Sequence, residues 1–233
     1  MAIQLNHPYQ NCTLKHGLQH EALLCTTKRK ATVQVNAVST SNSNARQLLE
    51  SGTIKAIQPK DASMAMNSEG FLLLDIRPVW ESEKARVKGS LHVPLFVEDI
   101  DNSPLTLIKK WVHFGYIGLW TGQYFTTLNP SFLDQVELTV PNKDSKLLVA
   151  CGEGLRSLMA VTKLYDGGYR NLGWLAGGFN RSKESDFPAV EGKEKLEYAT
   201  IGGASYYFLQ LLILLQAVGR GSNEEQYETQ FPV

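Results

Sequence analysis

Lys146-Leu-Leu-Val-Ala150 runs directly into Cys151-Gly-Glu-Gly-Leu-Arg156, and Ser157 to Tyr165 follows with apolar residues at Leu158, Val161, Leu164 and Tyr165. The first stretch is a short apolar run, the pattern of a strand buried on both faces. The last carries an apolar face at helical spacing and is closed by Gly167-Gly168. Between them, Gly152 and Gly154 permit tight turns with positive φ, so that successive amide N–H groups face one concavity. The helix behind adds its positive end. Strand, glycine loop and helix together predict a cradle for an anion. Cys151 is its candidate reactive atom, and Arg156 adds a permanent charge and a donor fork. The bland alternative is a small buried cysteine beside a glycine turn. The strand, C-x-x-G-x-R and helix in sequence favour the functional reading.

Flanking segments extend the pattern. Phe71-Leu-Leu-Leu-Asp75 and Asn171-Leu-Gly-Trp-Leu175 read as buried strands, and Gly89-Ser-Leu-His-Val-Pro94 holds a short one stopped by proline. Residues 45–52, 59–66 and 78–85 read as short helices. Short apolar strands alternating with helices predict an α/β fold with a largely parallel sheet covered on both faces. Sites in such sheets form beyond the carboxyl ends of the strands, where Asp75 and Cys151 both fall. Residues 95–141 form an insertion too long to be a plain loop, so helices of its own are expected there. Its aromatics, among them Trp111, His113, Tyr116, Trp120 and Tyr124, are read first as local packing and second as a substrate mouth or partner face.

The 233 residues fit one domain with appendages, and 43% hydrophobic content is enough for a core. Formal net charge is zero, and no basic patch interleaved with aromatics occurs, which argues against nucleic-acid binding. Residues 1–43 are basic, rich in hydroxyl side chains and hold one acid, Glu21. That composition predicts an organelle transit peptide, plastid more than mitochondrial, against a plain tail. Its removal takes Cys12 and Cys25 with it and leaves Cys151 as the sole thiol. One thiol makes neither an internal disulfide nor a multi-cysteine zinc site, and the five histidines show no ligand spacing, so no metal and no cofactor are expected. Near the other end, 198–219 is free of charge over 22 residues. As one helix it would measure about 33 Å against a hydrocarbon core of about 30 Å, making it a candidate membrane anchor or a docking helix. A polar tail, 220–233, follows.

Three signatures in order resemble the rhodanese-like domain, a single-domain sulfurtransferase module. Cys151-Gly-Glu-Gly-Leu-Arg156-Ser157 is similar to its active-site loop. Leu74-Asp75-Ile-Arg77-Pro78 with Gly89 to Pro94 is similar to its first signature, and Leu175-Ala-Gly177-Gly178 to the glycine pair after its last strand. The resemblance spans about 45–192 and is nearest to plant chloroplast members that share the insertion. It implies a five-stranded, mostly parallel sheet with helices on both faces. It also implies sulfur transfer through a Cys151 persulfide, from a small donor such as thiosulfate to cyanide, a thiol or a protein acceptor. Gly152, Glu153, Gly154, Leu155 and Arg156 would form the anion cradle, with Asp75, Arg77 and Ser157 in support. The six-residue span from Cys151 to Arg156 favours sulfur over phosphorus, because related phosphatases use a loop one residue longer.

The chain also departs from the family pattern. Glu153 replaces a basic or neutral residue and opposes an anionic donor. Gly152 replaces a larger residue, which predicts a looser loop. Arg86 stands in place of a histidine, and Ser182 lies near the site of an absent tryptophan. Two functions are therefore carried forward. One is an organellar sulfurtransferase of the thiosulfate or persulfide type. The other is a membrane-tethered interaction module, with a thylakoid as the expected membrane, that does little catalysis.

Overall fold

A computed structural model describes residues 44–228, with side chains through 216. The transit-peptide expectation, with Cys12 and Cys25, lies outside the described residues. A helix over 44–50 (α1) leads to β1 (Ile54–Ile57), α2 (Pro59–Asn67), β2 (Leu72–Asp75), α3 (Val79–Ser82), β3 (Ala85–Val87) and β4 (Leu91–His92). The insertion holds β5 (Phe96–Glu98), α4 (Pro104–His113), a π-helical stretch (Phe114–Gly118), α5 (Leu119–Thr121), β6 (Thr126–Leu128) and α6 (Phe132–Thr139). Then come β7 (Leu147–Ala150), α7 (Leu155–Asp166), β8 (Leu172–Leu175), β9 (Val190–Gly192) and α8 (Gly203–Glu228).

Five strands form one sheet in the order β1-β8-β7-β2-β4, and every pairing in it is parallel. The central strand β7 is buried along its whole length. Its residues divide by parity, as strand geometry requires. Leu147 and Val149 face a core built with α6 and α7, and Leu148 and Ala150 face a second core built with α2 and the segment around Leu196. Leu74 and Leu73 of β2 divide in the same way. Burying each such leucine is worth about 1.5–3 kcal/mol, so the unbroken apolar runs that identified these strands also hold the two layers on the sheet.

Several expectations are corrected. The helix expected over 78–85 is only Val79–Ser82, because Ala85–Val87 pairs antiparallel with Val190–Gly192 as a separate ribbon. β1 had no strand signature in the sequence: only its two ends, Ile54 and Ile57, are buried, and it takes its structure from pairing with β8. The segment 198–219 is not one helix. Leu196–Tyr198 is a 3-10 turn, Ala199 is buried in the second core, and α8 begins only at Gly203. The charge-free part of α8, 203–219, is then 17 residues, about 26 Å at 1.5 Å per residue and short of the ~30 Å hydrocarbon core. Among the described residues, no helix is long and apolar enough to cross a membrane.

Beneath the sheet's carboxyl edge lies a buried ion pair. Arg77 Nε and Nη2 donate to the Asp75 carboxylate at 3.0 and 2.6 Å, the Arg77 backbone N–H adds a bond at 3.0 Å, and Nη2 also holds the Ala85 carbonyl at 2.7 Å. The side chains are 0% and 1% exposed, and the guanidinium lies 4.5 Å over the Phe179 ring. Removing one partner of such a pair leaves an uncompensated buried charge. Arg77→Met is expected to lower unfolding free energy by about 3–5 kcal/mol, measured by chemical denaturation.

Candidate functional site

Cys151 begins the loop between β7 and α7 and is fully buried. Its Sγ accepts the Gly154 N–H at 3.1 Å and the Ser157 N–H at 3.3 Å. Ser157 is the third residue of α7, and Gly154 sits at its N-cap with φ +93° and no side chain to cap the helix. The sulfur therefore takes the place that a serine or aspartate oxygen fills at most helix starts. Ser157 Oγ donates to the Gly154 carbonyl at 2.9 Å, so it accepts the Cys151 S–H at 3.4 Å. Trp174 Nε1 donates to the same Gly154 carbonyl at 2.8 Å. The loop's shape is thus fixed by bonds that converge on Gly154, and negative charge at the sulfur meets two amide donors and a helix N-terminus.

The second glycine pair holds the loop from the other side. Phe179 N–H reaches the Cys151 carbonyl at 2.9 Å, and Asn180 N–H reaches the Gly152 carbonyl at 2.8 Å. A Cβ on Gly178, which has φ +65°, would lie 2.3 Å from the Gly152 oxygen. No residue but glycine fits there. This is the structural use of the Gly177-Gly178 signature.

Arg156 does not point its fork into an open cradle. Its Nη1 and Nη2 bond both carboxylate oxygens of Glu81 at 2.8 and 2.7 Å, and Glu81 is 1% exposed. Burial pulls the Arg156 pKa down, but hydrogen bonds and charge from Glu81, with weaker help from Cys151 and Asp75, outweigh it and raise it above the ordinary value. The guanidinium remains charged and is held in one place. Glu81 was not singled out in the sequence. It lies in a polar stretch beside Glu83, and nothing in the spacing marks which acid turns inward. Asp75 and Arg77 lie under the loop and do not line the cleft above it. Glu153 and Leu155 are exposed and do line it.

The cleft holds about 770 Å³, with Cys151 at its floor. His113 and Tyr124 bring part of the insertion to its wall, and Thr200 to Gly202 come from the segment before α8. Tyr124 is fixed by a tilted stack on Trp80 at 4.6 Å. Three bonds latch Thr200 and its neighbour Ile201, two of them made by Thr200. Its hydroxyl donates to Asn180 Oδ1 at 2.8 Å, its carbonyl accepts from Gln123 Nε2 at 3.1 Å, and the next carbonyl, of Ile201, accepts from Lys84 Nζ at 2.7 Å. Sequence reading did not find this roof, because its residues lie beyond 192 and carry no motif. The insertion's aromatics, read first as local packing, divide. His113 and Tyr124 reach the cleft, whereas Trp111, Tyr116 and Trp120 stand in solvent.

The rhodanese-like domain family matches residues 58–185. Rhodanese-like domain-containing protein 10 of Arabidopsis thaliana is 62% identical over 177 residues, which cover 76% of this chain and 83% of that one. Two further proteins of that plant are similar. Rhodanese-like domain-containing protein 11, chloroplastic, is 42% identical over 69% of this chain and 54% of its own length. Rhodanese-like domain-containing protein 9, chloroplastic, is 35% identical over 68% of this chain and 67% of its own length.

Gly152, expected to loosen the loop, instead makes room for the roof. A Cβ there would lie 2.3 Å from Thr200 Cγ2. Gly152→Ala is expected to cost about 1–3 kcal/mol by overpacking. Thr200→Ser, which removes that methyl, should relieve part of the cost. A double-mutant cycle on thermal or chemical denaturation measures the coupling.

Proposed function

The chain belongs to the rhodanese-like domain family, and we propose that it is a sulfurtransferase that carries sulfane sulfur on Cys151. The observation that carries this reading is the convergence of the Gly154 and Ser157 amides on Sγ at the start of α7. In the first half-reaction the Cys151 thiolate attacks the outer sulfur of thiosulfate. A new S–S bond forms as the S–S bond of the donor breaks, and sulfite leaves with the electron pair. Cys151 is then a persulfide anion. In the second half-reaction an acceptor thiolate takes the outer sulfur and restores the Cys151 thiolate, with cyanide as an alternative acceptor. Both half-reactions conserve charge and need no outside oxidant.

Each group contributes in a different way. The loop amides stabilise negative charge at the sulfur without reorganising. Arg156 supplies positive potential from a fixed position, partly offset by Glu81, so its main effect is to hold the loop and α3 together. Ser157 exchanges its bond to the Gly154 carbonyl for one to the sulfur when Cys151 loses its proton. Glu153 opposes an anionic donor at the cleft wall, which favours a less negative donor or slow turnover with thiosulfate.

A second reading is an interaction module with little catalysis. It is favoured by the complete burial of Cys151 and by the roof at Thr200. Thiosulfate with cyanide separates the two. Thiocyanate release by the full chain is expected to disappear in Cys151→Ser, which keeps an oxygen cap on α7. Mass spectrometry after thiosulfate alone should show 32 Da added at Cys151 (about one sulfur atom, the transfer itself). Equal release by both proteins, with no added sulfur, would leave the module. Glu153→Gln is expected to raise kcat/KM for thiosulfate by up to about fivefold, less at high salt.

The proposal includes a chloroplast location. It is supported by the composition of residues 1–43 and by the names of two relatives. Fractionation of plant cells should recover the tagged chain with chloroplasts, in the thylakoid or envelope fraction. Recovery outside chloroplasts would count against it.

A further inference from the structure

The insertion and the carboxyl-terminal helix turn their apolar faces away from the domain. α4 has no buried residue. Leu105, Leu107, Ile108, Trp111 and Val112 all stand in solvent, with Trp111 78% exposed. On a helix of 3.6 residues per turn these five share one side, opposite Thr106 and flanked by Lys109 and Lys110. α8 packs on α5 and leaves Phe208, Leu211, Leu212 and Leu215 outward, again on one side. Of 26 exposed large apolar side chains among the described residues, 17 fall within 105–120 and 207–215. In a helix packed on a protein core the apolar stripe faces inward. Here two segments, linked through the contacts of α5 with α8 and with the π-helical stretch, do the reverse.

We propose that this surface docks on an anionic lipid bilayer, lying along the boundary between headgroups and acyl chains. Charge identifies the occupant. Neither 104–121 nor 203–219 contains an acid, although the chain has 23. Lys109, exposed, borders the apolar side of α4, whereas Lys110 on the other border is tied to Asp99 at 3.8 Å and to the Asp101 carbonyl at 2.8 Å. A second copy of the chain would bring Lys109 to a face whose two segments hold no acid to answer it. Lipid phosphates answer it directly. Trp111, Tyr116, Trp120 and Tyr207, all exposed, supply the amphipathic rings that settle at headgroup depth. The charge-free length of α8 is too short to cross, which sets it in the plane. The same segments furnish the rim of the Cys151 cleft through His113, Thr121 and Ser205, so docking brings the cleft mouth beside the lipid.

Flotation of the full chain with vesicles of phosphatidylglycerol and phosphatidylcholine tests this. The chain is expected to float. The double variant Trp111→Glu/Leu211→Glu should bind at least tenfold less. Leu138→Glu, at an 83% exposed position of α6, should bind as the unsubstituted chain does. All three positions are exposed, so folding should survive, and the basic residues before 44 are the same in every protein. Failure of the unsubstituted chain to float, or equal flotation of the double variant, overturns the proposal. A lipid-free dimer that the double variant splits also overturns it, because a second copy then covers the surface.

Discussion

Two carbonyls at the end of β7, those of Cys151 and Gly152, are gripped by the amides of Phe179 and Asn180 at hydrogen-bond distance. That grip requires the backbone at Gly178 to pass where any Cβ would collide with both carbonyl oxygens. Much of the site follows from this approach. It fixes the path of the loop, which sets Gly154 in its left-handed conformation at the start of α7, which in turn points the Ser157 amide at the sulfur. The cysteine is thus placed by backbone, and its position does not rely on long side chains that fluctuate.

Electrostatics around the loop is organised in two tiers. The lower tier, Asp75 with Arg77, is sealed under the sheet edge and ties β2 to the start of β3. The upper tier, Arg156 with Glu81, ties α7 to α3 across the cleft floor. Each arginine is matched by a carboxylate, so the positive field available to a bound anion comes mostly from amides and the helix start. A field of this kind suits a small, diffuse anion better than a densely charged one.

The sheet and the loop were legible because their signals are local. Apolar runs of four or five residues fix buried strands, and C-x-x-G-x-R between strand and helix has few other uses. What escaped the sequence depends on distant partners. β1 shows no strand signature because its pairing with β8 supplies the structure. Glu81 looks like its neighbour Glu83 until Arg156 arrives from the far side of the fold. Gly152 looked permissive, and its function is clear only beside Thr200. The charge-free carboxyl-terminal run was read as one segment, because nothing local shows that Ala199 is buried in the core while Phe208 faces out.

The strand order has a consequence for how the chain is made. β1 is completed only when Ile54 meets Leu172, so the amino-terminal edge waits for nearly the whole domain to leave the ribosome. Closing so long a loop is entropically costly and slow. The Thr200 roof emerges later still. During that interval the Cys151 loop has its strand and helix but no cover, and its thiol meets solvent more freely than it ever will again. Oxidants and metal ions would find it most vulnerable in that interval, before folding is complete.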